Sequence, residues 1–354
     1  MEAASVPAGR PAAPGQAVRD AVSKYGLIVI LLILPVYYAF SDIVSEDENL
    51  SRFGNNLVDG LSNGAIWALV AIGYTLVYGI VELINFAHGE VFMIGSFTTA
   101  SFFGFIGLTQ DTSVTLLFFG LLLTLFVAMA ASGTLNVMIE RVAYRPLRNA
   151  PKLAPLITAV GMSFILQNVG LLWLGGSPEG IPDLIRSQQE LINIGGVSIT
   201  RGDVLSIAVT IPLLLVMTAF IARSRLGKAM RATAQDPEAA RLMGINVDTT
   251  ISLTFLLGGL MAGAAGLVYA LYQTTVWYFQ GFQAGLIAFT AAVMGGIGNL
   301  QGAVLGGFII GIIQQTSDNR IGGEWTPAIV FAYLVLIMVF RPQGLLGEET
   351  REAG

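Results

Sequence analysis

The amino-acid sequence predicts an all-α polytopic membrane protein of about ten transmembrane helices, or eight if two Gly-rich hairpins are re-entrant, with both termini cytoplasmic. Three observations predict it. First, 54% of the 354 residues are hydrophobic and only 12% are charged, with a mean hydropathy of +0.72; a soluble domain carries about 25% charged residues. Second, apolar runs long enough to cross a hydrocarbon core of about 30 Å recur along the chain. Third, Lys and Arg collect in alternate loops. Arg141, Arg145, Arg148 and Lys152 share one loop, Arg223, Arg225, Lys228, Arg231 and Arg241 share another, and only Arg52, Arg186, Arg201 and Arg320 fall on the opposite side. The positive-inside rule places the first group in the cytoplasm. The chain has no Cys and a single His, which excludes disulfides, thiolate metal sites, cysteine nucleophiles and a histidine-rich metal site.

Residues 1–24 are rich in Ala, Pro and Gly with scattered basic residues, which predicts a disordered tail. Residues 25–40 form a short apolar run, expected to be an uncleaved anchor helix entered from inside. A cleaved signal peptide is the competing reading, but no small-x-small site follows and Asp42, Glu46, Asp47 and Glu48 do. Residues 53–347 then form one membrane domain. Its first span, 57–80, is interrupted by Gly60, Gly64, Gly73 and Gly79. The stretch 81–90, VELINFAHGE, is the most polar within this apolar region, and 91–108 resumes the apolar pattern. Residues 114–139 and 153–174 are clear spans around the basic loop. Within the polar loop 175–203, LINIGGVSIT alternates and predicts a small hairpin. Residues 204–222 span again, with Pro212 as a kink. Residues 251–272 are a Gly-rich span, 285–298 and 302–313 are short runs hinged at IGNLQG, and 327–340 is the last span before the polar tail 348–354.

The chain is organised around the basic loop 223–250, which contains RATAQDPEAARLMGIN. Asp236 is suited to cap a helix, because its carboxylate can accept from the free N–H groups of the first turn. Pro237 fits the first helical position, and Glu238 lies near the positive dipole end. Ala239, Ala240, Arg241, Leu242 and Met243 favour helix, and Gly244 can adopt the left-handed terminal conformation. A helix of about two turns is marginal alone in water. Burying Leu242 and Met243 against something would contribute roughly 3–6 kcal/mol gross. Two readings stay open: a connector packed on its own neighbours, or a docking helix for a soluble cytoplasmic partner.

Enzymatic motifs are missing. Gly227-Lys228 lacks the flanking spacing of a phosphate-binding loop, and there is no HExxH, nucleophile elbow or kinase signature. If ATP drives this protein, another subunit binds it, and this chain needs no cofactor. The candidate pathway or gate residues are Asn85, His88, Gly89 and Glu90, with Gly298, Asn299 and Gly302. An ionised group at the membrane centre costs at least roughly 2.5–3.5 kcal/mol, so such residues line water or pair. On a helix, Glu82, Asn85 and His88 would share a face. The competing reading, favoured by topology for Glu82 and Glu90, is a polar turn at the cytoplasmic membrane surface. Asn85, Gly89, Val91 and Phe97 overlay Asn299, Gly302, Val304 and Phe308 with one gap. Broken segments at matching places mark transporter pathways, although shared Gly-rich composition explains the overlay equally. Tyr269, Tyr272, Trp277, Tyr278, Phe279 and Phe282 suggest an outer interfacial belt, with contact to an apolar substrate or an external partner as the alternative.

The spacing Glu238-Ala239-Ala240…Gly244 resembles the EAA loop of bacterial ABC-importer permeases, which docks on an ATPase. AIGYTLVYGIVELINFAHGEVFMIGSF, IERVAYRPLRNAPKLAPLITAVGMSFILQN, DPEAARLMGIN and FTAAVMGGIGNLQGAVLGGFIIGI are similar to the inner-membrane permease of branched-chain amino-acid ABC importers, the LivH type. The resemblance implies a bacterial inner-membrane subunit that imports Leu, Ile, Val or similar amino acids. It also implies a second homologous permease, two cytoplasmic ATPase subunits and an extracytoplasmic solute-binding protein as partners. Alternatives from the same sequence are a urea or short-amide permease, which shares an INxAHGE-like stretch, and a channel or ion-coupled secondary carrier using Glu82, His88 or Glu90. A structural membrane anchor would have no use for Gly-hinged broken spans.

Overall fold

A computed structural model describes residues 36–37, 40–41, 49–148, 150–151 and 153–347. The expected tails, 1–24 and 348–354, lie outside the described residues, as does most of the 25–40 anchor. Eleven α-helices follow one another among the described residues. They are α1 (Asn49–Val81), α2 (His88–Ile106), α3 (Val114–Ile139), α4 (Leu153–Leu174), α5 (Arg201–Arg223), α6 (Arg225–Gln235), α7 (Pro237–Leu242), α8 (Val247–Gln273), α9 (Gln280–Gly295), α10 (Leu300–Arg320) and α11 (Thr326–Phe340).

Seven segments are long and apolar enough to cross a membrane; they contain α1, α2, α3, α4, α5, α8 and α11. The expected spans 285–298 and 302–313 become α9 and α10, and neither meets that criterion. α9 has only 16 residues, and the later part of α10 carries Gln314, Gln315, Asp318, Asn319 and Arg320. The chain is thus an all-α polytopic membrane protein.

Burial sorts the helices into two classes. The most apolar windows of α1, α2 and α8 are 78%, 61% and 72% buried, against 17% to 28% for α3, α4, α5 and α11. The inner group meets through small residues, as helices do where lipid offers no hydrophobic drive. Gly60 and Gly64 of α1 face Ile312 and Phe308 of α10, and Gly95 of α2 faces Gly263 of α8. A Cβ at Gly64 would sit 2.8 Å from the Phe308 Cα, so the crossing depends on that missing methyl. Polar pairs join the same helices: Asn63 donates to Gln315 (3.0 Å) and Trp67 to Gln314 (2.7 Å).

The predicted hairpin forms as β2 (Glu190–Ile194) and β3 (Val197–Thr200), after a two-residue strand β1 (Glu179–Gly180). Gly195 and Gly196 supply the positive φ angles that the two-residue turn requires. Asn55 of α1 donates to the Gly196 carbonyl and accepts from the Ser198 N–H, which ties the hairpin to the start of α1. Thr200 and Asp203 form a reciprocal capping box that starts α5. Strand β4 (Thr275–Val276) pairs with β1 directly after α8.

Candidate functional site

Residues 82–87 are not helical, so Glu82, Asn85 and His88 do not share a helix face as expected. The chain turns after α1, with Glu82 at φ 52, and folds back before α2 begins at His88. His88 fills the notch at Gly73, where an added Cβ would lie 2.6 Å from the ring Cε1. Gly73 lies eight residues, or about 12 Å, before the end of α1, so α2 starts well inside the apolar layer. His88 is fully buried and meets Tyr74 edge-on at 4.8 Å.

Glu90 is 0% exposed and Glu82 remains exposed, so the solvated polar turn expected for both fits Glu82 and not Glu90. Glu90 Oε1 accepts from Ser163 Oγ (3.0 Å) and Gln167 Nε2 (2.9 Å) of α4, and Oε2 lies against Gly281. Gly281 and Gly285 belong to the first turns of α9, and Gly285 packs on Gly89. Two helices therefore begin side by side, α2 after the turn at 82–87 and α9 after the short strand and turn at 274–279. Their positive dipole ends, with the two α4 donors, offset the cost of burying a carboxylate.

The break in 82–87 is held by the ERVAYRP region. Asn136 donates to the Phe255 carbonyl (2.6 Å) and accepts from Asn85 (3.3 Å), and the Tyr144 hydroxyl donates to Asn85 Oδ1 (3.2 Å). Residues Glu140–Tyr144 form a π-helical turn, a local form frequent at functional sites. Glu140, fully buried, pairs with Arg148 and accepts from Ser252 (2.6 Å). Arg148 and Arg145 both reach Asp248 at the start of α8.

The other candidates lie elsewhere. Gly298, at φ +90, approaches Gly79, six residues along α1 from the His88 notch. Asn299 caps α10 by accepting from the Gly302 N–H (3.0 Å) and donates to the Leu346 carbonyl (2.8 Å). Gly302 packs against the Gly295 backbone. Asn85 caps no helix in this way, since α2 has no side-chain cap, so the sequence overlay does not extend to matching roles. Gly298 and Asn299 instead line a cavity of 610 Å³ with Thr75 and Gly79 of α1 and Arg231 and Gln235 of α6. The aromatic run also divides. Tyr269 packs inward on Phe92 (5.3 Å) and Trp67 (6.2 Å), and Tyr272 donates to Asp203 (3.2 Å); neither forms part of a lipid belt.

In the basic loop, Asp236 Oδ1 accepts from the Glu238 and Ala239 N–H groups, each at 2.9 Å. Pro237 opens α7, Glu238 lies in its first turn, and Gly244 adopts φ +83. Ala240 is buried, whereas Leu242 and Met243 are 89% and 83% exposed. The connector alternative thus fits Ala240 and fails for the two large apolar side chains. Asn246 caps the next helix, α8, by accepting from Thr249 (3.0 Å).

Sequence reasoning missed Asn136, Glu140, Ser163, Gln167 and Asp248. The available signal was spacing: Asn136 and Glu140, like Ser163 and Gln167, are polar pairs four apart within otherwise apolar spans.

Comparison with known proteins adds the following. The profile of the family described as "Branched-chain amino acid transport system / permease component" matches residues 56–339. The high-affinity branched-chain amino acid transport permease BraD of Pseudomonas aeruginosa is 40% identical over 82% of this chain and 94% of its own length. LivH of Escherichia coli, a permease of the same description, is 40% identical over 85% of this chain and 97% of its own length. The probable branched-chain permease LivH of Methanocaldococcus jannaschii is 28% identical over 80% of this chain and 89% of its own length. These relatives do not favour the urea, short-amide or ion-coupled alternatives.

Proposed function

The chain belongs to the family of branched-chain amino acid transport permeases, and we propose how it serves as the membrane subunit of an ATP-driven importer of Leu, Ile, Val and similar amino acids. It sits in the bacterial inner membrane with both termini cytoplasmic. With α9 and α10 as an inserted pair and the 25–40 segment as an anchor, it crosses the bilayer about ten times. It pairs with a second homologous permease, receives substrate from an extracytoplasmic binding protein, and holds no cofactor or metal; ATP is bound by two cytoplasmic ATPase subunits. It performs no catalysis.

The ATPases dock on α7 through Asp236, Glu238, Ala239, Ala240, Leu242, Met243 and Gly244. The observation that supports this is the exposure of Leu242 and Met243, at 89% and 83%, on a helix fixed by an Asp cap and a left-handed Gly. Two apolar side chains at a polar loop tip are stable there when a partner covers them. Movement of α7 passes to α6 and α8, which flank it directly. α6 in turn lines the 610 Å³ cavity with Gly298 and Asn299 at the α9–α10 turn. Asn85, His88, Gly89 and Glu90 form the buried part of the gate, where α2 and α9 begin, and Gly302 lets the α9–α10 turn close tightly.

The test is uptake of radiolabelled leucine, with urea as the comparison substrate, by the wild type and by the double variant Leu242→Asp, Gly244→Pro. Proline cannot adopt φ +83. The expected result is leucine uptake by the wild type, and in the variant normal insertion without uptake or ATPase association. Normal transport by the variant rejects the docking role, and urea uptake in place of leucine rejects the substrate.

A further inference from the structure

The α3–α8 interface carries an open groove of 440 Å³ that the transport reading leaves unused. Its polarity changes with depth. At the mouth are Arg141 and Arg145, just past the end of α3, with Thr249 in the first turn of α8. Leu253 and Leu256 lie about 6 and 10 Å further along α8, and Val137 faces them from α3.

The charges at the mouth are unequal. Arg145 and Arg148 share Asp248, and Arg148 also holds Glu140. The Arg141 side chain is exposed and makes no hydrogen bond or ion pair among the described residues. The cluster of three Arg, one Asp and one Glu keeps a net positive charge. The groove continues onto the least buried of the spans, since only 17% of the α3 window is buried, and Met138 and Val142 beside Arg141 are 62% and 61% exposed. A soluble partner does not meet that surface, whereas a bilayer does.

We propose that this groove binds one anionic glycerophospholipid of the cytoplasmic leaflet. Its phosphate is held by Arg141 and Arg145, and one acyl chain lies along Val137, Leu253 and Leu256. Bidentate guanidinium–phosphate bonding accounts for the headgroup, and basic pockets between helices at the cytoplasmic surface attract such lipids. The assignment rests on the cytoplasmic placement of the Arg-rich loop. The bound lipid braces α8 immediately after Gly244 and Asn246, and so stiffens the joint through which α7 acts.

The experiment uses the full chain purified in detergent with its accompanying subunits, delipidated, then titrated with palmitoyl-oleoyl phosphatidylglycerol or phosphatidylcholine and read by native mass spectrometry. Inorganic phosphate and glycerol 3-phosphate serve as tail-free competitors. The expected result is one tightly held phosphatidylglycerol per chain, not displaced by either competitor. Arg141→Gln, at an exposed position, weakens phosphatidylglycerol binding by about five-fold or more and leaves phosphatidylcholine unchanged. Thr134→Trp, which fills the groove from its exposed α3 side, lowers occupancy by both lipids. Wild-type phosphatidylglycerol affinity in Arg141→Gln overturns the proposal, and so does displacement by glycerol 3-phosphate, which would make this a free-anion site. Binding is read without transport, so these outcomes are separate from the uptake test.

Discussion

Glu90 and Leu242 stand in opposite violations of ordinary burial. Glu90 is a carboxyl group with no exposure inside an apolar bundle, and Leu242 is an aliphatic side chain 89% exposed at the tip of a polar loop. The first is compensated in part within the chain, by Ser163 and Gln167 on Oε1 and by the N-terminal turns of α2 and α9, while Oε2 has no hydrogen-bond partner among the described residues. The second, with Met243 beside it, finds no such compensation among its own neighbours. A group held mainly by its own chain belongs to the machinery of this chain; an apolar group left uncovered points to another chain.

The contrast can be attacked at either end, and the largest effect is expected where the buried end is tightest. A side chain at Gly89 would strike the Gly281 carbonyl and lie 2.7 Å from the Gly285 Cα. Gly89→Leu should therefore abolish folded, inserted protein, measured as the monodisperse peak after detergent extraction. Leu242→Asp should leave that peak unchanged and weaken ATPase docking by about 10–100-fold, the equivalent of losing one buried aliphatic side chain; leucine uptake would fall in step. Glu90→Leu leaves Ser163 and Gln167 without their acceptor and should lower stability by about 1–3 kcal/mol, whereas Glu90→Gln keeps an acceptor oxygen and should unfold near the wild-type temperature. A smaller loss than for Glu90→Leu is expected for Asn136→Ala, at about 0.6–1.7 kcal/mol, since its two bonds, to the Phe255 carbonyl and from Asn85, are uncharged and average about 0.6 kcal/mol each in a bilayer. Thermal unfolding in detergent reads the last three variants.

Much of α7 was legible in the sequence because its signals are local: Asp236 as cap, Pro237 at the first turn and Gly244 at φ +83 all act within a few residues. The spans 114–139 and 153–174 were legible for the complementary reason. Those helices are among the least buried within the chain, so almost every position is apolar and the boundaries are sharp. The stretch 82–90 was recognisable as polar but not as deep. Its depth is set by the notch at Gly73 that admits His88 and by the Gly89–Gly285 contact, both of which join residues distant in sequence. The links from Asn136 to Asn85 and from Ser163 and Gln167 to Glu90 were hidden likewise, since a polar pair four apart in an apolar span marks a face of the helix and not the partner it meets. Asn299 was singled out as a pathway residue; its side chain holds the Leu346 carbonyl and caps α10, a capping role that Asp236 and Asn246 also play and that an Asn just before an apolar helical run could have suggested.

Co-purification decides whether the exposed end of this contrast is a docking surface. The importer would be solubilised from membranes through a tag on this chain, once as wild type and once as Leu242→Asp, Met243→Asp, and the ATPase content of each would be quantified. The expected outcome is an ATPase subunit for every permease in the wild type and permeases without ATPases in the variant, at equal yield. Equal ATPase content in the two samples would contradict the docking of a partner on α7.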